Sequence, residues 1–192
     1  MATNKIKSLD ELAVITRELK RQGKTVVQCH GCFDLMHPGH IAHFEAAKRQ
    51  GDVLVVTVTS DSYVNKGPGR PVFTEQVRMK AIAALEVVDY VALSRWPTAE
   101  QTIRLLQPDV YIKGQDVAKS LDDPLSLASK ERDVLREHGG QFRVTNEPIV
   151  YSSSSLLVNH FSSYPEDTRQ FLGAFKTRYS QDDVISYLVS RI

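Results

Sequence analysis

The run Asp52-Val53-Leu54-Val55-Val56-Thr57-Val58-Thr59 is almost wholly apolar or β-branched, without the polar alternation of a half-exposed strand. Such a strand is covered on both faces, which points to a parallel sheet between layers of helix. The flanking sequence supplies those layers. Ser8 and Glu11 stand at capping-box spacing, and Leu9, Leu12, Ile15 and Leu19 recur at helical intervals until Gly23, predicting a helix over residues 8–22. A strand over 25–29 follows, then a helix from Pro38 to about Gln50 with Ile41, Phe44 and Ala47 on one face. Beyond the apolar run, the pattern predicts a helix over 74–86, a strand over 87–93, a helix over 98–106 and a strand over 110–112. A polar loop over 113–124, a helix to about His138, a turn at Gly139-Gly140 and a strand over 141–145 complete it. Strands alternating with helices in this way predict an α/β, doubly wound (Rossmann-like), five-stranded parallel sheet with right-handed crossovers. From Ser162 the pattern is helical only: Phe171, Leu172 and Phe175, then Val184, Ile185, Leu188 and Val189, form two amphipathic segments. The expected division is therefore a domain over 1–161 and a helical C-terminal extension over 162–192, serving as a dimer contact or a linker.

Composition narrows the function classes. The 192 residues carry 24 Lys+Arg against 23 Asp+Glu, a formal charge of +1, so a nucleic-acid coat or a membrane-surface protein is not expected and any anion site must be local. No segment reaches the roughly 18 uninterrupted apolar residues of a membrane span, and no apolar secretory core follows the N-terminus, so a cytoplasmic location is expected. The two cysteines, Cys29 and Cys32, are too few for a disulfide scaffold.

Sheets of this kind bind ligands beyond the carboxyl ends of their strands. The densest cluster of unusual residues, from Cys29 to His40, lies where the first strand hands over to its helix. His37 precedes a proline suited to the first helical position and His40 follows on the same side of the first turn. Backbone amides and the helix dipole there add donors for an anion. A phosphate-binding P-loop is excluded, because Gly23-Lys24-Thr25 has Glu18 where that motif needs glycine. Cys29, Cys32, His37 and His40 also read as C-x2-C-x4-H-x2-H, a structural zinc site, but the gap of four is far from the roughly twelve residues of a finger and the first cysteine belongs to a core strand. A redox dithiol is weaker still.

Gly31-Cys32-Phe33-Asp34-Leu35-Met36-His37-Pro38-Gly39-His40 resembles the G-x-F-D-x-x-H-x-G-H signature of the cytidylyltransferase-like nucleotidyltransferases at every fixed position. The likeness continues through Thr59-Ser60-Asp61, Lys66-Gly67-Pro68-Gly69-Arg70-Pro71-Val72, Glu75-Gln76-Val77-Arg78, Val88-Asp89 and Lys113-Gly114-Gln115-Asp116, and covers residues 5–159. Within the family the chain is most similar to the adenylyltransferase portion of bacterial ADP-heptose synthase, which has similar K-G-x-x-R-P-V and V-K-G-G-D-Y stretches. It departs at Gln115 and Val117, where those enzymes have glycine and usually tyrosine, and in the run Ser152-Ser153-Ser154-Ser155.

The resemblance implies an enzyme that moves a nucleoside monophosphate, AMP first and CMP next, from a triphosphate to a sugar phosphate such as heptose 1-phosphate in surface-glycan synthesis. The acceptor is already an anion, so positioning and charge neutralisation suffice. His37 and His40, with one or both imidazoles protonated, would meet the α- and β-phosphates, and Mg²⁺ carried by the triphosphate would balance the remaining charge, with no metal ligand assigned to the protein. Residues 62–80 hold Lys66, Arg70, Arg78 and Lys80 against Glu75, a local +3. There Lys66 would neutralise the transferred group, Arg70 reach the acceptor phosphate and Arg78 hold the triphosphate. Gly31, Cys32, Phe33, Asp34, Gly39 and Asp61 would shape the nucleotide loop, Asp34 by orienting it, while Lys113, Gly114 and Asp116 would line the pocket. Ser152, Ser153, Ser154 and Ser155, opening the last helix, would cradle the β- and γ-phosphates. A homodimer and a sugar kinase, fused or separate, are the expected partners. A non-catalytic nucleotide sensor is the alternative reading.

Overall fold

Five parallel strands, β1 (Val26–Gly31), β2 (Val53–Thr59), β3 (Tyr90–Ser94), β4 (Val110–Lys113) and β5 (Gln141–Val144), form one sheet in the order β3-β2-β1-β4-β5. The computed structural model describes residues 2–67 and 70–145, together with Asp167, Gln170, Phe171, Ala174 and Arg178. The serine run 152–155 and the helix expected after it lie outside the described residues. The chain divides into two compact units, Met1–Ser153 and Ser154–Ile192. The five described residues of the second are helical and exposed.

β2 is buried at every position, as its composition requires. Its side chains alternate between two cores. Leu54, Val56 and Val58 join Val27, Cys29 and Ile112 against Phe44 and Ala47 of α2 (Pro38–Lys48) and Ile82 and Ala83 of α3 (Glu75–Ala83). Val53 and Val55 join Val26 and Ala92 against Leu9, Leu12 and Ala13 of α1 (Leu9–Arg21) and Leu106 of α4 (Glu100–Leu106). Ala99, Ile103 and Tyr111 pack with Val134 and Leu135 of α5 (Leu127–Glu137). Among the described residues no helix is long and apolar enough to cross a membrane.

Some boundaries differ from the sequence expectation. The Ser8 capping box forms, with the Ser8 hydroxyl accepting from the Glu11 amide at 3.2 Å and Glu11 accepting from the Ser8 amide at 2.8 Å. In contrast, α3 ends at Ala83 and β3 begins only at Tyr90, because Asp89 turns back to β2: its carboxylate accepts from the Leu54 amide at 2.7 Å and from Lys48 Nζ at 2.5 Å. Val88 is therefore a core residue of a turn rather than of a strand, and Asp89, part of the sequence likeness, braces the amino end of the sheet. Ile41 is exposed, while His43, Phe44, Ala46 and Ala47 form the buried face of α2. The loop after β4 carries a 3-10 helix, Gln115–Ser120.

The strand order places the site. The chain runs outward from β1 through β2 to β3 and then returns to the other side of β1 with β4. The connections leaving β1 and β4 therefore part at their carboxyl ends, opening the crevice in which such sheets hold ligands.

Candidate active site

β1 ends at Gly31, and the following loop folds back on it. Phe33 takes a positive φ of 49°, and its ring lies where a Cβ on residue 31 would stand 3.0 Å from Cζ, so glycine leaves room for the ring. The Phe33 ring meets His40 edge-on at 5.5 Å and Phe44 at 5.0 Å. This packing presses His40 against His37, with ring centroids 3.8 Å apart and planes 32° from parallel. Both residues belong to the start of α2, where Pro38 opens the helix after His37 and Gly39 adds no side chain between them.

The Nδ1 atoms of His37 and His40 are both buried and have no hydrogen-bond partner among the described residues. A buried polar atom without a partner is costly, and two beside a helix N-terminus at a strand's carboxyl end mark a place for a ligand with oxygen atoms. Burial, then the field of Lys66, lowers the His37 pKa; burial, then His37, His43 and Lys66, lowers that of His40 to about 3. A bound polyanion would act in the opposite direction.

Two arginines pin segment 70–78 to the loop after β1. Arg78 is buried at 1% exposure. Its Nε donates to Phe73 O at 3.0 Å, Nη1 to Cys32 O at 2.5 Å, and Nη2 to Thr59 O at 2.8 Å and Asp61 Oδ1 at 2.6 Å. Arg78 therefore braces the ends of β1 and β2 against α3. Asp61 is likewise engaged, pairing with Arg78 and accepting from the Glu75 amide at 3.1 Å. Arg70 Nε donates to Asp34 Oδ2 at 2.5 Å, and Asp34 Oδ1 accepts from the Phe73 amide at 3.0 Å. Burial alone would raise the Asp34 carboxyl, but the amides of Phe73 and Val72 and the Arg70 guanidinium hold it below the usual carboxylate range. Asp34 thus ties the loop after β1 to Arg70 and to the Phe73 amide. Its pairing with Arg70, and that of Asp61 with Arg78, also neutralise most of the +3 read from residues 62–80.

Lys66 is exposed, and its charge reaches both imidazoles and Cys32. Burial pushes the Cys32 thiol up, opposed by Lys66, Arg78 and Arg70. Cys29 is fully buried in the core, and among the described residues no group of three His, Cys, Asp or Glu side chains is placed to hold a metal ion. Lys113 stands at the end of β4, but its ammonium pairs at 2.9 Å with the buried Glu131, which also accepts from the Tyr111 hydroxyl at 3.1 Å. Lys113 is thus anchored to α5, Gly114 precedes the 3-10 turn and Asp116 lies within it.

Sequence reasoning missed a buried polar ladder behind the loop. His30 Nδ1 lies 2.9 Å from Thr57 Oγ1 and its Nε2 3.3 Å from Thr59 Oγ1, while Gln28 Nε2 donates to Thr57 and Thr102 at 3.1 Å each. Burial, then Lys113, lowers the His30 pKa to about 3. The polar residues Gln28, His30 and Thr57 inside otherwise apolar strands were the available signal. His43 was also missed; its Nδ1 lies 3.0 Å from Thr145 Oγ1 at the end of β5.

The same residues connect the chain to known proteins. The cytidylyltransferase-like family model matches residues 28–159. The bifunctional protein HldE of Desulfatibacillum aliphaticivorans is 43% identical over 155 residues, and that of Ectopseudomonas mendocina 35% over 153, covering 80% and 79% of this chain. The chain spans 30% of the length of these curated relatives. Among solved structures, the lipopolysaccharide core biosynthesis protein of Thermoplasma volcanium aligns at TM-score 0.51 and 28% identity over 64% of this chain and 94% of its own. A pantoate-beta-alanine ligase of Francisella tularensis, at TM-score 0.52 and 14% identity over 73% of this chain and 66% of its own, shares the fold. With its loop, helix start and all of the parallel sheet but the first two residues of β1 within the matched region, the chain belongs to the cytidylyltransferase-like family of nucleotidyltransferases.

Proposed function

We propose that this nucleotidyltransferase moves a nucleoside monophosphate, AMP in preference to CMP, onto a sugar phosphate such as heptose 1-phosphate. An acceptor phosphate oxygen forms a bond to the α-phosphorus, the bond from that phosphorus to the bridging oxygen breaks, and pyrophosphate leaves with the bonding pair. The observation that carries the reading is the stacked pair His37 and His40, each with a buried Nδ1 lacking a partner among the described residues. Their hydrogen bonds to phosphate oxygens would strengthen as charge moves toward the leaving group. Lys66 adds an exposed positive charge whose field reaches both rings.

The preference for AMP and for a heptose acceptor is supported by the HldE relatives, and a role in surface glycan assembly by the lipopolysaccharide core protein of similar fold. The bifunctional relatives also support a companion activity, which we assign to a kinase that makes the acceptor phosphate. Asp34 and Asp61, carboxylates of the described site, are both paired with arginine. Magnesium therefore belongs to the triphosphate in this reading and supplies charge neutralisation there.

Pyrophosphate release from ATP and CTP, each with a panel of sugar phosphates, tests the proposal. ATP with heptose 1-phosphate should turn over fastest, and chelation by EDTA should stop the reaction until Mg²⁺ is restored. Nucleotide binding without turnover on any acceptor would instead identify a sensor.

A further inference from the structure

The two arginines that cross from segment 70–78 to the nucleotide loop are used differently. Arg78 directs Nε, Nη1 and Nη2 onto protein oxygens. Among the described residues the Arg70 guanidinium makes its bond through Nε alone, and its buried Nη2 has no partner. The Arg70 side chain is only 7% exposed and that of Asp34 has no exposure. The pair is thus desolvated, a setting in which a charged fork loses most by leaving a donor unused. Both Asp34 oxygens are occupied, Oδ2 by Arg70 Nε and Oδ1 by the Phe73 amide, so the carboxylate holds the guanidinium and segment 70–73 together. The histidines at the start of α2 provide the donors for the triphosphate. The spare edge of Arg70 comes from a different segment and provides one for a second phosphate.

We infer that Asp34 is a positioning residue for the acceptor: by holding Arg70 through Nε and segment 70–73 through the Phe73 amide, it aims the buried Nη2 of Arg70 at the acceptor's phosphate. The inference rests on the nucleotidyl-transfer reading. It adds to that reading a division of labour in which Asp34 acts on acceptor recognition through Arg70 more strongly than on the nucleotide.

Steady-state kinetics of the full chain with Mg·ATP and heptose 1-phosphate test it. Asp34→Asn should raise KM for the sugar phosphate about tenfold or more, and by a clearly larger factor than KM for ATP. Arg70→Lys, which keeps a cation beside Asp34 but lacks Nη2, should do the same. Adding Asp34→Asn to Arg70→Lys should cause little further loss, since the carboxylate acts through the fork. A parallel rise in KM for ATP, or independent losses that multiply in the double variant, would overturn the inference. Calorimetry with inorganic phosphate is the arm that needs no turnover: binding should weaken in both single variants, while Mg·ATP binding persists. If the wild type binds phosphate in this Arg70-dependent way but transfers nothing, the functional reading fails and the Asp34–Arg70 arrangement stands. Phosphate binding indifferent to both substitutions overturns the arrangement even in an active enzyme.

Discussion

Burial and the neighbouring positive charge of Lys66 lower the pKa of both His37 and His40, yet the chemistry assigned to them is the handling of negative charge. Their value lies in being fixed before substrate arrives, because a donor that need not reorganise stabilises developing charge most effectively. His37→Ala or His40→Ala should lower kcat by about 100-fold or more with an unchanged circular-dichroism spectrum and thermal midpoint. Near-normal turnover in either variant would remove the active-site assignment. The same burial has a thermodynamic consequence. His30 and His40 have folded pKa values of about 3, below the ordinary histidine value, so the unfolded chain binds their protons first as pH falls. Their neutral burial carries no penalty above the unfolded pKa of about 6.5, and stability is lost progressively below it, with a limiting slope of about 1.4 kcal/mol per pH unit for each histidine. Urea denaturation between pH 7.5 and pH 5 should show the midpoint falling with acidification. A midpoint that rises on acidification would contradict the neutral burial of these rings.

At the level of elements, local sequence signals performed well where the stabilising contact is itself local. The Ser8–Glu11 box formed as its spacing implied, and Ser8→Ala should cost about 1 kcal/mol by urea denaturation without affecting turnover. Signals failed where a contact from far along the chain decided the outcome. Val87 and Val88 have strand composition, but Asp89 reaches across to the Leu54 amide and delays β3 until Tyr90. Arg78 shows the same principle in the site. It sits on α3 yet ties together Cys32 after β1, Thr59 in β2 and the preceding Phe73, so its loss leaves several acceptors unpaired at once. Arg78→Met should destabilise the fold by about 3 kcal/mol or more and also weaken nucleotide binding, because the loop that carries the histidines loses its brace. A variant with full stability and a selective loss of triphosphate affinity would restore the direct ligand role expected from sequence.

For the whole molecule, the topology gathers the loop after β1 and the segments leading into α3 at the carboxyl end of the sheet. Binding there should be linked to global stability: Mg·ATP at about 100 times its Kd should add about 2.7 kcal/mol, seen as a raised thermal midpoint. The His37→Ala variant should show a much smaller rise at the same concentration. Much of this organisation was legible beforehand. The β-branched run at 52–59 required a sheet covered on both faces, and the spacing of glycines and histidines from Gly31 to His40 located the site at a strand-to-helix turn. Those features are encoded by neighbours in sequence, through periodicity, capping and turn geometry. The charged residues were not. Arg70 and Arg78 look equivalent in the sequence, both cations of one basic segment, and only the tertiary structure separates a guanidinium bonded through all three nitrogens to carbonyls and Asp61 from one that, among the described residues, retains a buried donor without a partner. The reason is physical: the function of a charge depends on what remains after its partners have been satisfied. Asp34 and Arg70, 36 residues apart, meet only because the sheet brings their segments together.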